Sequence, residues 1–236
     1  DYPALVEAFR GVEKVLLVSA VAFTDRAHQH RNVIDAAKEA GVKHVFYTSI
    51  QRSTDFVMVE VTESDLATEA YLKASGLLYT ILRNGFYFEG IGHLVGNEVP
   101  DAEISLPAGE GKIAFVSRAD LAAATAALLT SEGHENQEYT LTGSEAYSFY
   151  DVAREFSALA NKPIIYKGIE PEAYIEQKVA AGMPEFVAHF LAQWAVAAKH
   201  GMLAGADLTV ERLLGCKPAS LQEYLKAAYL RDNDLV

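Results

Sequence analysis

Short apolar runs alternate with amphipathic stretches along the first two thirds of the chain. Four of these runs are rich in β-branched and aromatic residues and predict strands, at residues 14–20, 42–50, 77–83 and 138–142. The other stretches carry apolar side chains at helical spacing and predict helices, at residues 27–40, 62–74, 118–129 and 152–160. Because helix-length connections join the strands, the pattern predicts right-handed parallel βαβ units.

Local signals mark the ends of the predicted helices. Gly41 and Gly76 stand at positions typical of the residue that ends a helix. Two serine–aspartate pairs have the spacing of a capping box at a helix start, Ser117 with Asp120 and Ser148 with Asp151. The alternation of strands and helices predicts an α/β fold with a doubly wound parallel sheet.

The pattern changes near the last third of the chain. Two helical stretches follow there, at residues 172–181 and 186–199, and a Gly-Met-Pro turn divides them. This region predicts a small, mostly helical subdomain over the carboxyl ends of the strands. The predicted organisation is an α/β domain at residues 1–162 and a mostly helical cap at residues 163–236, with some segments crossing between the two.

Composition and charge narrow the classes of function. The chain is 50% hydrophobic with a net charge of -12, and no basic cluster interrupts the acidity, so nucleic-acid binding is not expected. No apolar run reaches the roughly 18 residues of a membrane span, so no membrane contact is expected either. A lone Cys216 and the absence of a zinc-type Cys/His spacing predict a cytoplasmic protein without a metal site.

Short ordered motifs run along nearly the whole chain. They are FRGVEK (9–14), QHRN (29–32), AGVK (40–43), YTS (47–49), TE (68–69), LRNGFY (82–87), GKI (111–113), SRAD (117–120) and LG (214–215). In this order they resemble the NmrA-like branch of the atypical short-chain dehydrogenase/reductases, in particular the type 2 NAD(P)H:quinone oxidoreductases and the triphenylmethane reductases. The resemblance implies a Rossmann-like, NAD(P)-binding domain at residues 1–162, with a sheet of strand order 3-2-1-4-5-6-7, and a C-terminal substrate subdomain at residues 163–236. It also implies an NADPH cofactor, with NADH as the alternative, and a quinone-like small-molecule substrate.

The resembled proteins hold the cofactor pyrophosphate on a G-x-x-G-x-x-G loop after their first strand. This chain has no such loop, and its nearest glycine pairing, Gly90 with Gly92, is expected to lie in an ordinary loop. By analogy with a βαβαβ half-unit, about fifty to sixty further residues are expected upstream of Asp1. If the 236 residues were the whole polypeptide, an exposed edge strand would predict weak NADPH binding and self-association.

Candidate cofactor contacts lie at the carboxyl ends of the first two predicted strands. In a doubly wound sheet, these carboxyl ends face the crevice where ligands bind. The resemblance implies that Ser19, Ala20 and Val21 line the cofactor, whereas the alternative is that Ser19 only satisfies the backbone at a strand end. Tyr47 and Thr48 are candidates at the end of the second strand, with a structural cluster of hydroxyl groups as the alternative.

Residues 84–87 are the strongest candidate site. Asn84 follows a buried strand and offers a polar side chain, while Gly85 allows the backbone to approach a ligand closely. The resemblance implies that Asn84 and Tyr87 are catalytic and that Asn84, Gly85, Phe86 and Tyr87 contact the cofactor. The rings of Phe86 and Tyr87 would also face the substrate. The alternative is a loop whose aromatic residues fill the core.

No basic residue stands where proton transfer would require one. The resembled quinone reductases have a histidine at the position of Asp65, and the match to Tyr-x-x-x-Lys, Tyr174 with Lys178, lies too far downstream and is interpreted as coincidence. His30 is interpreted as a packed or surface residue. Quinone reduction does not depend on such a base, because the phenolate-like product takes a proton from water and positioning supplies much of the rate.

Two classes of function remain. The favoured one is NAD(P)H-dependent reduction of a quinone or similar conjugated acceptor by hydride transfer. The alternative is a non-catalytic, NmrA-like regulator that senses dinucleotides and acts through protein partners. A sugar-nucleotide epimerase is disfavoured because no properly placed Tyr-x-x-x-Lys is present. Self-association, where it occurs, is expected to give a homodimer.

Overall fold

The molecule combines a main parallel sheet with a second, largely helical part. The computed structural model describes residues 1–20, 25–51 and 60–230. Its strands are β1 (Lys14–Leu17), β2 (His44–Ile50), β3 (Leu78–Asn84), β4 (Glu103–Leu106), β5 (Lys112–Ile113), β6 (Gln137–Leu141), β7 (Tyr147–Ser148) and β8 (Ile165–Gly168). Its helices are α1 (Tyr2–Ala8), α2 (Arg26–Glu39), α3 (Glu60–Ala74), α4 (Gly90–Val95), α5 (Arg118–Thr130), α6 (Phe149–Ala160), α7 (Pro171–Ala180), α8 (Glu185–Lys199), α9 (Thr209–Leu214) and α10 (Leu221–Tyr229).

Four strands form the main sheet, in the order β1-β2-β3-β6, and all of them run parallel. These are the four strands predicted from the apolar runs. At their carboxyl ends the register pairs Ser49 with Arg83 and Arg83 with Thr140. Because side chains alternate between the two faces of a sheet, these three residues share one face, and Asn84 lies on the other.

Helices cover both faces of this sheet. On one face, Ile34 of α2 and Leu72 of α3 belong to the same buried cluster as Tyr47 of β2. On the other face, Leu128 of α5 is buried in a cluster with Phe46 of β2. Burial on both faces explains why the strands are almost continuously apolar. The arrangement confirms the predicted α/β, doubly wound fold.

The helix-capping predictions hold in part. Ser148 and Asp151 form the predicted reciprocal capping box at the start of α6. Ser117 caps α5 by accepting from the N–H of Asp120, but the carboxylate of Asp120 accepts instead from the N–H of Ala219, at 3.0 Å. The start of α5 is therefore tied to the C-terminal segment.

Some predictions differ from the structure. The first strand ends at Leu17, three residues earlier than predicted. The prediction of a loop around Gly90 and Gly92 is wrong, because these residues form α4, whose Ile91 and Leu94 are buried in the core. A helix of six residues is stabilised by tertiary packing more than by its own propensity. The short strands β4, β5, β7 and β8 were not predicted.

The second part of the molecule has its own apolar core, contributed mainly by α4, α6, α7, α8 and α10. Strand β4 belongs to the first 162 residues, yet it pairs in parallel with β8, which follows them. The boundary between residues 162 and 163 stays a prediction. Within residues 1–20, 25–51 and 60–230, no helix has both the length and the apolar character to cross a membrane.

Candidate active site

Side chains from neighbouring elements hold the backbone just past β1. The N–H of Ser19 donates to Thr48 Oγ1 at 2.8 Å, and the N–H of Ala20 donates to His30 Nε2 at 3.0 Å. Ser19 and Thr48, both predicted cofactor contacts, are therefore adjacent, whereas Val21 lies outside the described residues. Both backbone N–H groups of this turn are therefore engaged by side chains of the protein.

A buried ion pair lies against this turn. Arg26 Nη2 approaches Asp65 Oδ1 at 3.1 Å, and both side chains are at least nine-tenths buried. Asp65 also accepts hydrogen bonds from Tyr47 OH at 2.5 Å and from Ser19 Oγ at 3.2 Å, and Arg26 donates to Ser19 Oγ. Burial raises the pKa of Asp65, and the adjacent Arg26 opposes this rise. The network joins the turn after β1 to β2, α2 and α3.

The same network fixes the side chain of Tyr47. Tyr47 is fully buried, and burial together with the neighbouring Asp65 raises the pKa of its phenol far above the ordinary value, so the phenol stays protonated. Its side chain therefore acts as a structural donor, which is the alternative that the sequence left open. A contact between Tyr47 and a cofactor stays a prediction, and the backbone would have to make it.

His30 is a packed residue in the same layer. Its Nε2 accepts from a backbone N–H, so the proton of the neutral ring lies on Nδ1, 2.9 Å from Thr68 Oγ1. Burial, together with the nearby charge of Arg26, lowers the pKa of His30 to about 4. Protonation of Nε2 would place two donors against each other at the turn after β1.

We expect the stability contributed by His30 to fall as the pH decreases from about 6.5 to 4. A histidine with a depressed folded pKa stabilises the fold while it is neutral, and protonation removes that contribution between the unfolded and folded pKa values. The loss approaches about 3 kcal/mol at the acid end. Urea unfolding of the wild type and His30→Gln at about pH 7.5 and about pH 4.5 measures it.

The matched control is His189→Gln, which makes the same change on the exposed side of α8. This control should follow the wild type at both pH values. A wild-type advantage over His30→Gln that is equal at both pH values would contradict the expectation.

Strand β3 ends at Asn84, whose side chain is 6% exposed. Its Nδ2 lies 3.5 Å from Tyr87 OH, and no hydrogen-bond partner for its Oδ1 exists among the described residues. A Cβ on Gly85 would lie 2.9 Å from Thr142 Cγ2 and 3.1 Å from Ala114 O, so glycine alone fits this position without displacement. A buried acceptor without a donor is costly, and a bound ligand can satisfy it.

The two aromatic rings of this segment have different surroundings. Phe86 packs edge-on against Phe115 and Trp194, with ring centroids 5.9 and 5.5 Å apart. The guanidinium of Arg118 lies over the ring of Tyr87, 5.3 Å from its centroid. Phe86 therefore contributes to the core of the second part, as the alternative reading of the sequence expected. Contact of either ring with a substrate stays a prediction.

The Tyr-x-x-x-Lys match lies in α7. Tyr174 is fully buried and donates to Leu94 O at 3.3 Å, and Lys178 Nζ lies 5.3 Å from the centroid of the tyrosine ring. Burial lowers the pKa of Lys178. The pair packs α7 against α4 in the second part of the molecule.

A cleft of about 550 Å³ opens beside the end of β3, on the side of the sheet that carries α3. It is lined by Gln51, Leu66, Arg83, Thr140, Gly205, Ala206 and Asp207. Gln51 connects it to the candidate site, because its N–H donates to Asn84 O at 2.8 Å and its Nε2 donates to Gly205 O at 2.6 Å. This cleft was not predicted from the sequence, because its walls come from segments far apart in the chain.

Arg83 is the cationic group of the cleft. Its Nε and Nη2 donate to the two carboxylate oxygens of Glu69 at 3.2 and 2.8 Å, and Nη2 also lies 2.6 Å from Glu138. Hydrogen bonding to Glu69 raises the pKa of Arg83, so the guanidinium keeps its charge. Because side chains alternate along a strand, the sequence could have predicted that Arg83 and Thr140 share one face of the sheet. No local signal in the sequence indicated that Glu69 and Glu138 bind Arg83.

The fold and these strand-end groups define a class: Rossmann-like α/β proteins that bind ligands in the crevice at the carboxyl ends of the strands. Within the described residues Asn84 Oδ1 is unpaired, which fits a cofactor that brings a hydrogen-bond donor. The absence of a side chain at Gly85 lets such a cofactor lie against the backbone. Across the part of the chain that the structure describes, no three His, Cys, Asp or Glu residues converge as a metal-ligand set.

The similarity of this chain to known proteins identifies its family. The NmrA-like family matches residues 1–225. Quinone oxidoreductase 2 of Escherichia coli K12 is 36% identical over 233 residues, which cover 99% of this chain and 81% of that protein. The NAD(P)H azoreductase of Xenophilus azovorans is 32% identical over 224 residues, with 94% and 78% covered. The chain belongs to the NmrA-like family.

Two solved structures agree with this assignment. The NADPH-dependent quinone oxidoreductase of Escherichia coli, complexed with NADPH, matches with a TM-score of 0.91 at 36% identity, covering 96% of this chain and 80% of that one. The Citrobacter sp. triphenylmethane reductase complexed with NADP(H) matches with a TM-score of 0.88 at 30% identity, covering 97% and 80%. The resemblance found in the sequence motifs and the Rossmann-like fold are therefore confirmed.

Proposed function

We propose that this protein transfers a hydride from NADPH to a quinone or a similarly conjugated acceptor. It is an oxidoreductase of the NmrA-like family, and its relatives include a quinone oxidoreductase and an azoreductase. The observation that carries the proposal is the end of β3, where the unpaired amide oxygen of Asn84 adjoins the crowded Gly85. Identity of 32–36% to enzymes, over more than nine-tenths of the chain, disfavours a non-catalytic regulator.

Each proposed site residue has a defined task. NADPH supplies the hydride when it is bound. Asn84 Oδ1 accepts a hydrogen bond from the cofactor, Tyr87 OH orients that amide, and Gly85 lets the backbone lie against the ligand. Ser19 and Thr48 border the same crevice at the ends of β1 and β2. Positioning of this kind can supply a large part of a hydride-transfer rate.

Two ionisable residues near the strand ends, Asp65 and His30, are buried and held by other residues. Asp65 is 1% exposed and is held by Arg26, Tyr47 and Ser19, while His30 is 1% exposed and bonded on both ring nitrogens. The product oxygen of a reduced quinone is a weak base and takes its proton from water. The site therefore contributes orientation rather than proton transfer.

An acceptor panel tests the proposed substrate class. Loss of NADPH absorbance is followed with 1,4-benzoquinone, 1,4-naphthoquinone or an azo dye, using the protein expressed from its complete gene. One NADPH and one proton should be consumed for each quinone reduced to a hydroquinone, and both quinones should react faster than the dye. Reduction of the dye with only background rates for both quinones would reject the quinone assignment and leave the oxidoreductase class in place.

We expect a quinone bound beside Phe86 to quench the fluorescence of Trp194. Trp194 is the single tryptophan of the chain, and its ring centroid lies 5.5 Å from that of Phe86. Titration with 1,4-naphthoquinone should give saturable quenching, and Phe86→Leu should weaken it. Phe190→Leu is the matched control, since Phe190 contacts the same tryptophan from within α8. Equal weakening by both variants, or purely linear quenching, would contradict the placement of the acceptor.

A homodimer is the remaining proposal about partners. The relatives compared above lend it no support, so it depends on the sequence prediction alone. Light scattering coupled to size-exclusion chromatography measures the mass directly, and a monomer at all protein concentrations would reject it.

A further inference from the structure

We propose that the cleft beside β3 holds the acceptor, and that Arg83 donates hydrogen bonds from Nη1 to an oxygen of that acceptor. The inference rests on the proposed function and names the group that binds its substrate. The cleft, at about 550 Å³, falls within the range of small-molecule pockets. It lies at the carboxyl ends of β2, β3 and β6, the edge at which ligands of such sheets bind.

The hydrogen bonds that Arg83 makes with described residues involve Nε and Nη2. Glu69 binds the side formed by Nε and Nη2, and Glu138 binds Nη2 as well. Among the residues that the structure describes, none accepts a hydrogen bond from Nη1. The side chain is 27% exposed, and Arg83 lines the cleft. Two carboxylates thus fix the orientation of the cation and leave two donors for a ligand, which reduces the entropic cost of binding.

Gln51 supplies a complementary acceptor at the edge of the cleft. It is 7% exposed, its Nε2 is bonded to Gly205 O, and its Oε1 has no hydrogen-bond partner within the described residues. Leu66 and Ala206 add apolar lining against which a flat ring can pack. An acceptor with a carbonyl oxygen suits Arg83, and the O–H of its reduced product suits Gln51.

The chemistry of quinone reduction makes such a cation useful. A quinone gains a hydride and its two electrons from NADPH, which leaves NADP⁺ and a hydroquinone anion, and water then supplies the proton. Negative charge develops on a quinone oxygen during this step. A fixed guanidinium near that oxygen stabilises the charge where it forms.

Two variants probe the cleft in different ways. Ala206→Leu fills it without touching the ion pairs, and Arg83→Lys keeps a cation beside Glu69 but removes the planar fork. With saturating NADPH, each should raise the KM for 1,4-naphthoquinone by about fivefold or more. Ala123→Leu is the matched control, because it makes the same change on the exposed face of α5 and should leave the KM within about twofold of the wild type.

Binding is measured separately from turnover. Isothermal titration calorimetry with 1,4-naphthoquinone and without NADPH gives a Kd, which Ala206→Leu should raise and Ala123→Leu should not. If the wild type oxidises no NADPH with any quinone, the proposed function fails. If the wild type is active and Ala206→Leu matches Ala123→Leu in both KM and Kd, the assignment of the cleft is overturned while the function stands. Ala206→Leu decides the outcome if Arg83→Lys does not fold.

Discussion

Replacing Arg26 by methionine is expected to destabilise the fold by about 3–5 kcal/mol. Asp65 is 1% exposed, and Arg26 is the one cationic group that pairs with it in the described part of the structure. Without that partner a buried carboxylate keeps only the hydrogen bonds from Tyr47 and Ser19, which cannot neutralise its charge. Urea unfolding at about pH 7.5 gives the difference in the free energy of unfolding from the wild type.

The matched control is Arg154→Met. Arg154 forms an exposed ion pair with Asp151, and its loss should cost no more than about 1 kcal/mol. The double variant Arg26→Met/Asp65→Leu should regain most of the lost stability, because no buried charge remains. Burial raises the pKa of Asp65, and a protonated carboxyl needs no counter-charge, so the defect of Arg26→Met should shrink as the pH falls. A defect that is independent of pH and is not rescued would refute this account of the pair.

Replacing Asn84 by alanine is expected to lower kcat/KM for NADPH by about 100-fold. The side chain stands at the end of β3 with an oxygen that lacks a partner within the described residues, so its main hydrogen bond is the one proposed for the cofactor. For the same reason, the free energy of unfolding should change by no more than about 1 kcal/mol. Initial rates over a range of NADPH concentrations, with urea unfolding alongside, separate the two effects.

Asn97→Ala serves as the control for this variant, since Asn97 is exposed after α4 and should tolerate the change. A loss of less than about fivefold in Asn84→Ala would remove this residue from the proposed site. Large loss of both activity and stability would instead identify a structural amide. The expected outcome is low activity in a stable fold.

Much of the main sheet could be predicted because its signals are local. The strands are buried on both faces and so read as continuous apolar runs, and the serine caps lie within one helical turn of their partners. Strands β4 and β8 carry no such signal. They are four residues long, they pair across about sixty positions of sequence, and Ile165 of β8 is 58% exposed.

The residues of the candidate site could likewise be predicted only where the signal is local in sequence. Asn84 and Gly85 were identified because a polar residue and a glycine directly follow a buried strand. The pairing of Arg26 with Asp65 joins residues 39 positions apart on different helices, and charged residues in a helical pattern usually face solvent. Arg83 stood within a recognised motif, but its carboxylate partners and its cleft come together only in the folded chain.

A stoichiometric turnover tests most directly whether these strand ends hold NADPH for the reduction of a quinone. The protein expressed from its complete gene is mixed with excess NADPH and limiting 1,4-naphthoquinone, and the absorbance of the nicotinamide is followed to completion. The wild type should consume one NADPH for each quinone, and Asn84→Ala should reach the same endpoint about 100-fold more slowly. No consumption above the buffer rate, or equal rates for the wild type and Asn84→Ala, would contradict this assignment.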